Sequence, residues 1–165
     1  MTAFLYRMPA GIPGNLTREN QATVESGLLD STATFPGFGL PGKVSSGKFV
    51  PITTGDAAAA VFGFLVRPFP IQGAPAITDN LGAATPPTSG IANVLKRGYI
   101  NVTLNGSTAA AKGGTVYVRV AAAATGKPIG GIEAASDSTN TIALTNAYFT
   151  GPADASGNTE IAFNI

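Results

Sequence analysis

The segment Asp154–Glu160 carries oxygen-bearing side chains at alternate positions, as a calcium-binding loop does. An EF-hand loop also needs glycine at its sixth position, where this chain has Thr159. Gly157 stands instead where a turn between two strands would need it. We therefore interpret the segment as a plain turn and expect no bound metal.

Two other short patterns contain residue types that could support catalysis or phosphate binding. Ser45 and Lys48 have the spacing of the serine–lysine pair of penicillin-binding proteins, but the companion motifs are absent. The segment Lys112-Gly113-Gly114 lacks the length and the Lys-Ser/Thr ending of a phosphate-binding loop. We interpret the first pattern as coincidence and the second as a turn.

The composition excludes most catalytic chemistry. The chain has neither cysteine nor histidine, which removes disulfides, most zinc sites and the usual Ser-His-Asp and Cys-His arrangements. A hydrolase that used only carboxylates would need two close acidic residues, and the nine present are scattered. The net charge of +1 gives no nucleic-acid footprint, and no apolar run approaches the ~20 residues of a membrane span. We expect no enzyme, no cofactor, and no nucleic-acid or membrane partner.

The elements that carry these residues belong to an all-β protein. Short alternating or apolar segments with frequent Gly and Pro turns predict a small antiparallel β-barrel or β-sandwich, jelly-roll-like, with long Pro/Gly-rich loops. We expect an extended N-terminal arm over residues 1–16, a single β-domain over residues 17–165, and at most one or two short helices. Ser89–Gly98 has helical spacing and end signals, and the apolar run Val61–Arg67 predicts the central strand.

The chain is organised around the stretch Gly98–Val120, which predicts an antiparallel strand pair. Ile100, Val102 and Leu104 share one face of the first strand, and Val116, Val118 and Val120 share one face of the second, so these faces should be core. The ten residues 105–114 exceed a usual hairpin loop and should project. The opposite face is polar but rich in tyrosine; it is either solvated or covered by a partner, with Tyr99, Tyr117 and Arg119 as the contact candidates.

Two further segments are candidates for contacts. Pro9 and Pro13 keep the N-terminal arm extended, so that Phe4, Leu5 and Tyr6 form an edge strand either on this protein's own sheet or on a neighbour. The Pro/Gly-punctuated loop 35–42 carries Phe35, Phe38 and Leu40, which would form an exposed patch if nothing within the domain covers them. Only 12% of the residues are charged, against a typical ~25%, which indicates a partly covered surface.

Several loop-and-strand patterns resemble the structural cement, or head-decoration, proteins of tailed bacteriophages. The likeness covers most of the chain, is strongest from Phe62 onward, and is carried by Arg67–Pro70, Thr85–Gly90 with Arg97–Tyr99, Ala111–Arg119, Gly126–Gly131 and Ala147–Asp154. The resemblance implies a non-enzymatic virion protein that binds the outer face of the assembled capsid and bridges major-capsid subunits. We expect a homodimer or homotrimer, and because no signal-like segment begins the chain we expect synthesis in the cytoplasm of the host.

A second hypothesis comes from a different functional class. Sugar-binding and adhesin-like β-modules use exposed aromatic rings beside polar groups, and Tyr99 and Tyr117 could serve in this way although tryptophan is absent. A surface-displayed carbohydrate-binding module is therefore the alternative that the sequence leaves open.

Overall fold

The computed structural model describes residues 11–68 and 85–165, and these parts of the chain form nine β-strands and no α-helix. The all-β prediction is therefore confirmed. Helical geometry in the described residues is limited to single 3₁₀ turns at Glu19–Gln21, Ala58–Ala60 and Ser138–Asn140. The strands are β1 (Thr23–Leu29), β2 (Pro41–Ser45), β3 (Lys48–Pro51), β4 (Gly63–Leu65), β5 (Gly90–Asn105), β6 (Thr115–Arg119), β7 (Ile132–Glu133), β8 (Thr141–Phe149) and β9 (Asn158–Phe163).

Strand β5 organises the sheet because it is 16 residues long and uses both of its edges; the usual strand length is about 5–6 residues. Its first half pairs antiparallel with β1 and, on the other side, with β4. Its second half pairs antiparallel with β9 over Gly98–Thr103, and its last two residues, Leu104 and Asn105, pair parallel with β7. The long strand thus belongs to two groups of strands at once.

The strand order is β1-β3-β2-β4-β5-β7-β6-β8-β9. Two additional pairings, β1–β5 and β5–β9, connect both ends of this order to β5. Strands β1–β4 therefore form one group and β6–β9 a second group, and each group pairs with β5 twice. Some strand pairings are short: β1 pairs with β3 at a single residue pair, Leu29 with Phe49, and β4 pairs with β5 at two residue pairs. The result is a sandwich-like fold and not a barrel. Pairing is antiparallel except between β1 and β3 and between β5 and β7.

The strands enclose two apolar clusters, and the larger one also takes Phe64 of β4 and Leu95 of the first half of β5. The larger cluster contains the inward side chains of the second half of β5 and of β6, β8 and β9, including Ile100, Val102, Val116, Val118 and Val120, as the alternation in the sequence predicted. The smaller cluster lies under the first half of β5 and comprises Leu29, Phe35, Phe38, Phe49, Leu65, Ala92 and Val94.

The predicted helix over Ser89–Gly98 is wrong, because Gly90–Arg97 is the first half of β5. Seven residue pairs with β1 hold this segment extended, and such long-range pairing outweighs local helix signals. Gly98, expected to end a helix, has φ +134° and lies against Ala22, where a Cβ would be 2.9 Å from the Ala22 Cα. Its glycine is needed for a bend between the two halves of β5.

The predicted direct pairing of the two strands in Gly98–Val120 is also wrong. Strand β7 lies between them, because Ile132 pairs with Leu104 of β5 on one side and with Val118 of β6 on the other. The long connection 105–114 does not force its flanking strands together as a two-residue turn would. The run Val61–Arg67 does contain a strand buried on both faces, β4, but β5 is the strand around which the sheet is built.

Close backbone approach at β4 gives a test of this packing. A Cβ at residue 63 would collide with the carbonyl oxygen of Leu95 and lie 2.7 Å from Cγ1 of Val94. We expect Gly63→Ala to destabilise the fold by about 1–3 kcal/mol through overpacking, which lowers Tm by roughly 2–4 °C per kcal/mol.

Gly37→Ala is the matched control for thermal unfolding. A Cβ at residue 37 meets only Cδ1 of Leu40, at 4.0 Å, so its Tm should stay close to that of the unmodified protein. Equal melting temperatures for the two variants would contradict the packing at β4.

Candidate interaction surface

The tyrosine-bearing face of the second half of β5 is covered by the chain's own residues 11–18. The N–H of Gly14 donates to the carbonyl of Asn101 at 2.8 Å, and the N–H of Asn101 donates to the carbonyl of Asn15 at 2.9 Å. Leu16 forms an antiparallel bridge with Ile100. The last residues of the predicted arm therefore pair within the same chain, whereas Phe4, Leu5 and Tyr6 lie outside the described residues.

Tyr99 is buried beneath this segment, with 8% of its surface exposed. The guanidinium carbon of Arg18 lies 3.9 Å from the centre of the Tyr99 ring, which is a cation–π distance. The prediction that Tyr99 faces outward to a partner or to solvent is therefore wrong. The sequence alone does not indicate this contact, because Arg18 stands 81 positions before Tyr99 in the chain.

Glu160 anchors the same segment from the neighbouring strand β9. Its carboxylate accepts hydrogen bonds from the Thr17 hydroxyl and, at 3.0 Å, from Nη2 of Arg18. Burial opposes ionisation of this carboxyl, but hydrogen bonds from Thr150, Thr17 and Arg18 outweigh it and hold the pKa of Glu160 below its ordinary value. Glu160 therefore fixes residues 17 and 18 by charge as well as by hydrogen bonding.

Arg119 is the most buried charged side chain of the described residues, with 1% exposed. Its guanidinium donates to the Glu133 carboxylate at 2.5 and 3.2 Å and to Asp137 at 2.6 Å, and Nη1 donates to the carbonyls of Ala121 and Ala122. The hydrogen bond from Arg119 holds the pKa of Asp137 below its ordinary value. Arg119 is thus internal, and its prediction as an outward contact residue is wrong.

The position of β7 explains why Arg119 is covered. Glu133 pairs with Tyr117 of β6, which brings its carboxylate next to Arg119, two positions further along that strand on the same face. Tyr117 itself stays partly exposed, so its contact with another protein remains a prediction. With Tyr99 covered, the two tyrosines do not form the exposed aromatic platform on which the carbohydrate-binding hypothesis depends.

The loop 35–42 packs into the smaller core. Phe35 stacks on Phe49 with ring centres 5.0 Å apart, and Phe38 lies under the Arg67 guanidinium at 5.3 Å. Both phenylalanines are at least 94% buried, and Leu40 is partly buried against the same cluster. The domain itself covers the two phenylalanines, so they do not form an exposed patch.

The two most exposed large apolar side chains of the described residues lie elsewhere, on β1 and the first half of β5. Leu28 and Ile91 stand directly opposite each other in the two strands and are 51% and 74% exposed. Val24 lies on the same face of β1 and is also exposed. We call Val24, Leu28 and Ile91 the apolar strip. Sequence reasoning missed it because it left Leu28 without assigned structure and placed Ile91 on a helix.

The patterns with possible chemistry form turns. Asp154 Oδ1 accepts the N–H groups of Ser156 and Asn158 at 2.9 Å, which confirms a turn between β8 and β9. Within residues 11–68 and 85–165 no group of three acidic side chains could hold a metal ion. No helix in these same residues is long and apolar enough to cross a membrane.

Comparison with known proteins gives one family and one fold. A family model described as "XM1 gp53 minor capsid protein" matches residues 1–163. The chain is similar to a chain in the solved structure titled "The capsid of Myoviridae Phage XM1", with 18% identity, 98% of this chain and 95% of that chain covered, and a TM-score of 0.68. At this identity the likeness establishes the fold. No curated protein matches the chain.

The buried ion pair predicts a large stability effect. Arg119→Met leaves the buried Glu133 carboxylate with only the more distant Lys127, whose Nζ lies 3.8 Å away, and we expect a loss of about 3–5 kcal/mol in the free energy of unfolding. Arg18→Met is the control: Arg18 is 47% exposed and its ion pair is worth at most about 1 kcal/mol. Chemical denaturation of both variants measures the difference, and similar values would contradict the buried arrangement.

The lowered pKa of Glu160 predicts acid sensitivity. Its folded pKa lies below its unfolded value, so its contribution is present above the unfolded pKa and is lost as pH falls through the folded pKa. We expect the free energy of unfolding of Glu160→Gln to fall less steeply between about pH 5 and about pH 3 than that of the unmodified protein. Glu19→Gln, at an exposed position, should keep the original slope. Identical slopes for all three proteins would refute this role.

Proposed function

The chain belongs to the XM1 gp53 minor capsid protein family, and on that premise we propose that it is a cement protein of the phage head. In this proposal it binds the outer surface of the assembled capsid and bridges neighbouring major-capsid subunits as a homodimer or homotrimer. Family membership confirms the coarser prediction of a structural, non-enzymatic virion component. The cement role, the outer surface and the bridging are the proposal.

The observation that carries the proposal is an apolar strip on a surface with few charged residues. Ile91 and Leu28 are largely exposed beside each other, and exposed apolar patches are typical of interaction sites. At least ten of the nineteen charged residues form ion pairs among the described parts of the chain. The paired basic residues are Arg18, Lys43, Lys48, Arg119 and Lys127, and their acidic partners are Asp30, Asp56, Glu133, Asp137 and Glu160.

The charge balance supports the outer surface over the inner one. A protein lining the inside of a filled head would lie against densely packed phosphates, where basic side chains neutralise charge. This chain has ten basic and nine acidic residues, and at least five of each are paired within residues 11–68 and 85–165. Its surface suits contact with protein better than contact with DNA.

The stabilising mechanism follows from mass action. A protein that binds the assembled lattice and not the free subunits stabilises the lattice by RT ln(1 + [L]/Kd), about 2.7 kcal/mol per site at a concentration 100 times Kd. Oligomers that contact two or more subunits add avidity without any new contact chemistry. Individually modest apolar contacts are therefore sufficient when many copies cover the shell.

Binding to preassembled shells tests both the strip and the surface. Purified protein is mixed with closed, DNA-free capsids of the cognate major capsid protein, and bound copies are counted after sedimentation. We expect saturable binding, and we expect Ile91→Asp to weaken it about tenfold, because a charge would be buried in an apolar contact.

Ile165→Asp is the matched control, since Ile165 is 49% exposed but lies outside the apolar strip. It should bind like the unmodified protein. Absence of binding to closed shells would overturn the outer-surface proposal. Equal binding by both variants would exclude the strip as the contact.

A further inference from the structure

Strand β1 has an edge that no described strand occupies. One edge pairs with β5 along Thr23–Leu29, whereas the other meets β3 only at Leu29. Residues 23–26 and 28 are exposed. A free edge beside exposed apolar side chains is a template for an added strand. We propose that residues 4–8 of a second copy of this chain add to this edge of β1, along Val24–Leu28, as an antiparallel strand.

The occupant is identified by its match to β1 on both faces. In antiparallel register, Phe4 stands opposite Leu28 and Met8 opposite Val24, so apolar side chains meet on the face of the apolar strip. On the other face Arg7 stands opposite Glu25. Pro9 ends the added strand immediately after Met8, because proline has no N–H to donate.

Glu25 is available for this pairing. It is exposed, and it forms no ion pair with any residue in 11–68 or 85–165. The nearest cation on the adjacent strand is committed elsewhere: Nζ of Lys96 donates to the carbonyl of Phe62 at 2.5 Å and lies 3.0 Å from the Phe62 ring centre. Glu25 and Lys96 interact electrostatically without forming an ion pair, so an arginine opposite Glu25 would supply a direct ionic partner.

The reach of the chain indicates that the strand comes from another copy. Gly11 is packed against the Asn101 side chain, and Gly14 is hydrogen-bonded to the Asn101 carbonyl. In the proposed register Met8 stands beside Val24, which pairs with Leu95, six positions from Asn101 along β5. Along the strand that path is about 20 Å at ~3.3 Å per residue, and the bend at Gly98 shortens the direct distance, but the added strand also lies two strand spacings, roughly 10 Å, to the side of β5. The three residues from Met8 to Gly11 span at most about 11 Å. This short reach favours a second copy as the donor.

Reciprocal exchange would close a two-fold dimer, because each copy donates one arm and accepts one. The added strand would also extend the apolar strip with Phe4, Tyr6 and Met8. This gives a structural form to the self-association included in the proposed function. It can be measured on the purified protein without capsids, so the two proposals can fail separately.

Disulfide trapping tests the register, because the natural chain has no cysteine. Two single-cysteine proteins, Phe4→Cys and Leu28→Cys, are mixed and oxidised, and covalent heterodimers are identified by mass. We expect efficient cross-linking, since opposed positions bring the Cα atoms within the ~7 Å limit of a disulfide. Phe4→Cys mixed with Val24→Cys is the control; these positions would be about 13 Å apart and should cross-link far less.

Charge exchange tests the same contact in solution. Glu25→Arg should weaken self-association about tenfold by placing two arginines opposite each other, and adding Arg7→Glu should restore it. Glu19→Arg, at an exposed site outside β1, should have no effect. A monomeric unmodified protein, equal cross-linking in both cysteine mixtures, or no recovery in the double variant would each overturn strand exchange. Cross-linked dimers that fail to bind capsids would refute the capsid proposal alone.

Discussion

The structure depends on the pairing of β5 along both edges and through its whole length. Backbone N–H and C=O groups in a buried strand must find partners, and β5 obtains them from β1 and β4 in one half and from β7, β9 and residues 14–16 in the other. The bend at Gly98 lets one strand serve both halves. Both apolar clusters contain side chains of β5: the larger takes Leu95 from its first half and Ile100 and Val102 from its second, and the smaller takes Ala92 and Val94 from its first. Neither core is complete without β5.

The same pairing determines which polar groups are buried and which apolar groups are exposed. Residues 11–18 follow one edge of β5 and cover Tyr99 and Asn101, while β7 brings Glu133 to Arg119. Burial of these groups is tolerable because nearly all of them receive hydrogen bonds or ion pairs. Along the first half of β5, β1 is the outermost strand on its side of the sheet. None of the described residues covers Leu28 or Ile91. The most exposed side chains on these two strands are therefore apolar.

Sequence reasoning succeeded where the signal is local and failed where it is not. Ile100, Val102, Val116 and Val118 were assigned to the core because a period of two is visible within each strand. The insertion of β7 depends on a two-residue segment with no periodicity of its own. The environment of Arg119 depends on acids 14 and 18 positions away, and Gly90–Arg97 becomes a strand through pairing with residues about 70 positions earlier. None of these three long-range relations can be recognised from the sequence around the segment concerned.

An unprotected edge and an apolar strip are hazards for a free protein but suit one that acts only in an assembly. Free β-proteins shield such edges with lysine, proline or bulges, whereas Thr23–Leu28 carries a single charge, Glu25. If copies exchange arms, the edge of β1 is occupied before the protein binds the capsid. The enlarged apolar face then stays available for contact with the capsid lattice. Self-association and capsid binding would then use adjacent surfaces without competing. One sequence of about thirty residues, from the arm through β1, would supply the donor strand, the acceptor edge and part of the contact face.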